Sequence, residues 1–86
     1  MPSVITNISV RDEDNISGKQ YTCANVWINS TPLHIDVVSE QTIRFLFCLA
    51  LENKNADICF YSKRFKSLAE DVLKNEKFKS LNVVFD

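Results

Sequence analysis

Glycine and histidine are almost missing from this sequence. Gly18 is the single glycine among 86 residues. Walker loops, dinucleotide-binding loops and the G-x-S-x-G nucleophile elbow each need two or more glycines, so these sites are excluded. His34 is the single histidine. A metal site built on two imidazoles is excluded for the same reason.

Cysteine is present but lacks the spacing that metal and redox sites use. Cys23, Cys48 and Cys59 lie far apart, each inside an apolar segment. An odd number without a C-x-x-C pair argues against a disulfide framework and against a zinc site. We expect three inert, buried thiols in a reducing compartment.

Long apolar runs and a large net charge are also lacking. The longest apolar run, residues 45–51, is about a third of the roughly 20 residues that a membrane span needs. Residues 1–11 show no secretory signal, so we expect a cytoplasmic protein. A net charge of −1 excludes a globally basic nucleic-acid-binding protein. The length predicts one domain, residues 1–86, and its small core leaves a homodimer as an alternative to a monomer.

Three segments near the start alternate apolar and polar residues, which predicts strands. These segments are Val4 to Val10, Tyr21 to Ile28 and Leu33 to Val37. Residues 15–19, with Gly18, and residues 29–32 predict the two turns between them. The result is an antiparallel meander, and the middle strand is apolar enough on both faces to lie inside the sheet.

Two helices and two strands follow. Ser39 is a favourable N-cap for a helix with a broad apolar stripe, which Phe45, Leu49 and Leu51 widen. Residues 53–55 close this helix. Residues 57–61 predict a central strand buried on both faces. A second helix lies between residues 62 and 75, beginning near Lys63 or Leu68, and residues 81–85 form the last strand.

The predicted fold class is therefore α/β, of the α+β type. It has a mixed five-stranded sheet, formed by an antiparallel three-strand meander and then helix-strand-helix-strand, with the helices packed on the sheet. The last two crossovers should be right-handed, with the last strand parallel to the strand before it.

This order of elements resembles the ribonuclease H-like fold. The stretch SEQTIRFLFCLAL, residues 39–51, is similar to the family's first helix, and ICFYSKR, residues 58–64, to its fourth strand and the turn after it. The resemblance implies carboxylates at one end of the sheet that hold two Mg²⁺ ions. The predicted first strand contains no acid, however, and Ile43 and Lys63 occupy positions where acids are expected. The resemblance thus implies a degenerate member without the nuclease chemistry.

The remaining polar residues offer no second catalytic group. His34 and Asp36 share one strand face, where the carboxylate could orient a base. An exposed polar face explains the same pair, and no further partner can be named. We predict no catalytic residue, no metal ligand and no cofactor.

Two groups of residues are candidates for binding a partner. The first combines Tyr21 and Trp27, on the less apolar face of the second strand, with three acids at the predicted hairpin tip, Asp12, Glu13 and Asp14. An aromatic face left open by the helices would bind a protein, and the acids would bind a basic surface. A second small core around Trp27 and a solvated loop are the structural alternatives.

The second group is basic. Lys63, Arg64 and Lys66 flank Phe65, a pattern that could contact phosphate and a stacked base. A solvated helix face explains the same residues.

We therefore predict a non-catalytic protein-binding module, for example a small inhibitor that blocks a partner's surface, of the immunity-protein or phage anti-defence (anti-CRISPR) type. The alternative is a small nucleic-acid-binding protein that uses the basic second helix. No membrane partner is expected.

Overall fold

The computed structural model describes residues 4–86, which form one mixed sheet of five strands with two helices. The strands are β1 (Ile5–Asp14), β2 (Gln20–Ile28), β3 (Thr31–Val37), β4 (Asp57–Tyr61) and β5 (Val83–Phe85). The two α-helices are α1 (Glu40–Glu52) and α2 (Lys66–Val72), and a short 3-10 helix, Glu76–Phe78, follows α2. The predicted fold class is confirmed.

The strands lie in the order β3-β2-β1-β4-β5. β1 pairs antiparallel with β2 and parallel with β4, while β2 and β3 are antiparallel and β4 and β5 are parallel. The predicted meander, the inner position of β2 and the parallel last strand are confirmed.

One hydrophobic core lies between the two helices and one face of the sheet. Alternate residues of each strand point to that face, as strand geometry requires. Phe47 of α1 is the largest buried contribution from the helices, and its ring lies 6.0 Å from the ring of Phe60 in β4. The buried side chains that join sheet and helices are Ile8, Val10, Ala24, Val26, Val37, Ile43, Leu46, Phe47, Ala50, Ala56, Ile58, Phe60, Ala69, Val72 and Phe78.

β1 departs from the predicted strand at both ends. The register shifts between Ile5 and Asn7, so that a bulge at Thr6 turns Ile5 toward the core and leaves Val4 exposed. At the other end the strand continues past Val10 to Asp14. The prediction that the three acids form a hairpin tip is therefore wrong, since the turn begins only at Asn15.

The first hairpin turn is held by a side chain, and the second is defined by its backbone angles. Asn15 Oδ1 accepts hydrogen bonds from the main-chain N–H groups of Ser17 and Lys19, at 3.0 and 2.9 Å, and Gly18 adopts φ +81°. In the second turn Asn29 and Ser30 have φ of 50° and 70°, as a two-residue type I′ turn requires. The predicted turn at residues 29–32 is thus too long, because Thr31 and Pro32 already belong to β3.

The helices agree with the prediction in position but not in every contact. Ser39 occupies the N-cap of α1, yet its hydroxyl lies 3.5 Å from Thr42 Oγ1 and bonds no main-chain N–H. Phe45, expected to widen the apolar stripe, is 57 % exposed. α2 begins at Lys66, between the two predicted starts. No helix within residues 4–86 has the length and hydropathy to cross a membrane.

Candidate functional site

The face of the sheet opposite the helices is uncovered within the described chain. It is not a second core, because Trp27, Tyr61 and Val84 on this face are 36, 45 and 47 % exposed. The prediction that β4 is buried on both faces is therefore wrong. We call this surface the open face; its side chains, assigned from strand alternation and register, are Asn7, Ser9, Arg11, Glu13, Tyr21, Cys23, Asn25, Trp27, Pro32, His34, Asp36, Asp57, Cys59, Tyr61 and Val84.

Tyr21 and Trp27 both lie on the open face, but they do not form one aromatic patch. Six residues separate them along β2, which corresponds to about 20 Å. The Tyr21 hydroxyl donates a hydrogen bond to Glu13 Oε2 at 3.0 Å, whereas Trp27 lies beside Asn7 and Pro32 in the register. Trp27 is therefore a separate exposed aromatic side chain at one end of the open face, and Tyr21 belongs to a polar cluster at the other.

That polar cluster is built around Arg11. Its Nε donates a hydrogen bond to Glu13 Oε1 at 2.6 Å. The Asn25 side-chain amide is oriented so that its oxygen accepts a hydrogen bond from Arg11 Nη1 at 3.2 Å. The hydrogen bond from Arg11, with that from Tyr21, lowers the pKa of Glu13, and the same bonds raise the pKa values of Arg11 and Tyr21. Cys23 lies opposite Arg11 in the register and is buried, which raises the pKa of its thiol. The cluster fixes the guanidinium on the surface of the sheet.

Asp12 points to the other side of β1 and has a structural role. Its carboxylate accepts hydrogen bonds from Thr22 Oγ1 at 2.8 Å and Ser62 Oγ at 2.6 Å, and from the main-chain N–H groups of Lys63 and Arg64 at 3.0 and 3.2 Å. Burial alone would raise the pKa of Asp12, but these four hydrogen bonds outweigh it and the pKa lies below the usual range. Asp12 thus ties the end of β1 to the turn before α2.

The three neighbouring acids therefore have three different environments. Asp12 is engaged by the turn at residues 62–64, Glu13 belongs to the open face, and Asp14 is exposed at the end of β1. They do not form a joint acidic patch at a hairpin tip. Of the three, only Glu13 has its side chain on the open face, where its two oxygens accept hydrogen bonds from Arg11 and Tyr21.

The position of Asp12 also corrects the statement that the first strand contains no acid. Asp12 lies where β1 and β4 end, next to Ser62 and Lys63. Its two oxygens are surrounded by hydrogen-bond donors and not by other carboxylates. Among residues 4–86, no three His, Cys, Asp or Glu side chains form a group that could hold a metal ion.

The basic residues predicted to bind nucleic acid lie around the start of α2. Lys63 and Arg64 are exposed and Lys66 is half-buried. Phe65 packs against the core, and the guanidinium carbon of Arg64 lies 5.2 Å from the centre of its ring. That ring face is therefore already occupied, which weakens the case for stacking a nucleic-acid base on it.

A cleft of about 510 Å³ joins members of both predicted groups. It lies at the end of the sheet near Asp12 and is lined by Tyr21 and Arg64, together with Asp36 and Val38.

His34 and Asp36 contact each other at 3.2 Å, and both are more than half exposed at the outer strand of the sheet. This solvated pair has the environment of an ordinary polar strand face.

Sequence reasoning missed Arg11, Tyr61 and Val84 as members of the open face. The signal for Tyr61 was available, because Asp57, Cys59 and Tyr61 alternate with buried Ile58 and Phe60.

Comparisons of the chain with models of known protein families, with curated proteins and with solved structures find no match. The resemblance to the ribonuclease H-like fold therefore stays a prediction.

Proposed function

We propose that this protein is a non-catalytic binding module that recognises a protein partner with its open face, as a small inhibitor that covers the partner's surface. The observation that carries the proposal is that both helices pack on one side of the sheet and leave Trp27, Tyr61 and Val84 exposed on the other. In the register Trp27 lies apart from Tyr61 and Val84, so they are separate contact points on one uncovered face, and tryptophan and tyrosine are residue types that protein interfaces favour at such points.

The residue types of the open face support a protein partner. Tryptophan, tyrosine and arginine are the residues most enriched at the energetic centres of protein interfaces, and the open face presents Trp27, Tyr61 and Arg11. Arg11 is already held by Glu13 and Asn25, so less side-chain entropy is lost when a partner binds it.

The charge of the open face favours a basic partner surface. It carries three carboxylates, Glu13, Asp36 and Asp57, and one guanidinium, Arg11. An excess of acidic groups on this face speeds association with a positively charged surface and strengthens it at low salt.

Alanine substitutions on the two sides of the molecule test the proposal. The partner is isolated with the wild-type protein from a lysate of the cells that express it, and its Kd is measured for Trp27→Ala, Tyr61→Ala and Phe45→Ala. We expect Trp27→Ala to weaken binding by at least tenfold, since buried aromatic anchors contribute more than about 1.4 kcal/mol. Tyr61→Ala is expected to weaken it by a smaller factor.

Phe45→Ala is the control, because Phe45 is an aromatic residue on α1, on the opposite side of the sheet, and is more exposed than Trp27 or Tyr61. It should leave the Kd unchanged. The proposal is wrong if Phe45→Ala weakens binding and the open-face variants do not.

A separate binding experiment tests the nucleic-acid alternative. Salt-dependent binding of single-stranded DNA or RNA, abolished in Lys63→Glu/Arg64→Glu, would favour it. The main-chain N–H groups of both residues, and not their side chains, bond Asp12, so these substitutions should preserve the fold.

A further inference from the structure

The outer edge of β3 is a free strand edge in the described part of the chain. β3 is the end strand of the sheet, and five of its first six residues are exposed. An uncovered edge leaves a row of main-chain N–H and C=O groups that can pair with another strand. We propose that a second copy of this chain pairs with this edge and that the two sheets join into one sheet of ten strands.

The second hairpin turn determines which residues face the free edge. In a two-residue type I′ turn the flanking residues, Ile28 and Thr31, hydrogen bond to each other. Hydrogen-bonded pairs then recur at every second residue along β2 and β3. Pro32, His34 and Asp36 consequently direct their main-chain groups outward. Proline at such a position agrees with this assignment, because it has no N–H to donate to β2.

Chemistry then selects one register for two copies related by a two-fold axis. With Ile35 on the axis, His34 of each copy lies opposite Asp36 of the other, and these residues exchange four main-chain hydrogen bonds. An imidazole donor faces a carboxylate acceptor at both places, which is the favourable cross-strand combination. A shift of the register in one direction would place Asp36 opposite Asp36. A shift in the other would place Asp36 opposite Pro32, which cannot donate.

The apolar residues of the edge agree with the same register. Leu33 points to the helix side of the sheet but is 50 % exposed, because no neighbouring strand covers it. In the proposed dimer Leu33 of one copy lies beside Val37 of the other, and the two Ile35 side chains meet on the axis. Pairing therefore covers apolar surface that a monomer leaves in water.

Pairing at the β3 edge does not require the proposed partner surface, since it involves only His34 and Asp36 at the margin of the open face and neither Trp27 nor Tyr61. The two-fold axis stands perpendicular to the sheet, so both open faces point to the same side. A dimer would present two copies of Trp27 on one continuous surface.

Disulfide trapping tests the edge and the register together. In a variant with Cys48 and Cys59 replaced by alanine, Ile35→Cys is compared with Leu33→Cys under mild oxidation on a non-reducing gel. The proposed register brings the two residues at position 35 to a Cα separation of about 4.5 Å, within the range of a disulfide. Leu33→Cys is the matched control, because it lies on the same face and faces valine in the other copy. We expect most Ile35→Cys chains to form a covalent dimer, at least tenfold faster than Leu33→Cys chains.

Sedimentation of the wild-type protein at about 100 µM is the second measurement and needs no variant. A dimer is expected, and Trp27→Ala should not change it. A monomeric wild-type protein overturns the proposal. So does a dimer in which Ile35→Cys is trapped no faster than Leu33→Cys, because the contact then lies elsewhere or in another register.

Discussion

Replacing Phe47 by alanine is expected to lower the free energy of unfolding by about 3–5 kcal/mol. Phe47 is 1 % exposed, and its ring lies 6.0 Å from that of Phe60 and 6.1 Å from that of Phe78. It therefore joins α1 to β4 and to the 3-10 helix in the middle of the core. An 86-residue domain has a total stability of about 4–13 kcal/mol, so this one change removes a large part of it.

Urea denaturation followed by circular dichroism measures the effect. Phe45→Ala is the matched control, since Phe45 lies two residues earlier in the same helix and is 57 % exposed. It should change stability by less than about 0.5 kcal/mol. Equal losses from the two substitutions would mean that α1 packs on the sheet with a different face.

Replacing Asp12 by alanine is expected to destabilise the protein by about 2–4 kcal/mol. The substitution removes four hydrogen bonds to a charged acceptor and leaves the hydroxyls of Thr22 and Ser62, both buried, without their partner. Ser62 Oγ also accepts from the main-chain N–H of Phe65, at 3.2 Å, so we expect the start of α2 to loosen as well. Asp14→Ala, on the same strand with an exposed side chain, should cost less than about 0.5 kcal/mol.

The contribution of Asp12 should depend on pH in a defined direction. Its pKa in the folded protein is lowered, so its contribution is fully present above the unfolded value, about 3.9, and is lost as the pH falls through the folded value. The stability difference between wild type and Asp12→Asn should therefore be constant from pH 7 to about pH 5 and shrink below about pH 4. A difference that grows on acidification would contradict the assigned hydrogen bonds.

Most of the fold could be predicted from local periodicity. Alternation with period two located β1, β2 and β3, and the apolar stripe located α1, because these patterns follow directly from strand and helix geometry. The parallel pairing of β4 with β5 followed from the helical crossover between the two strands. None of these inferences needs a contact between distant residues.

The errors arose where distant contacts decide the structure. A run of four charged residues after Val10 is typical of a loop, yet β1 continues to Asp14 in register with β2, and Asp12 is bonded there by Ser62, fifty residues later in the chain. The bulge at Thr6 is likewise invisible to a pattern that assumes strict alternation. Phe45 fitted the helical stripe, but α1 buries a narrower face than the stripe implies.

The candidate site was predicted in part. The face of β2 that carries Trp27 was identified from alternation, but the prediction could not tell whether a second layer covers it. The structure places both helices on the opposite side and adds Tyr61 and Val84 from β4 and β5. Tyr21 was grouped with Trp27 because they share a face, although the distance along the strand separates them.

Trp27 is the single tryptophan of the chain and so reports directly on the open face. The most direct test of the account is the quenching of its fluorescence by acrylamide, measured with and without a saturating amount of the isolated partner after subtraction of the partner's own emission. Covering the open face should lower the quenching constant at least threefold and shift the emission to shorter wavelength. A stable complex in which Trp27 is quenched as strongly as in the free protein would show that the partner binds elsewhere.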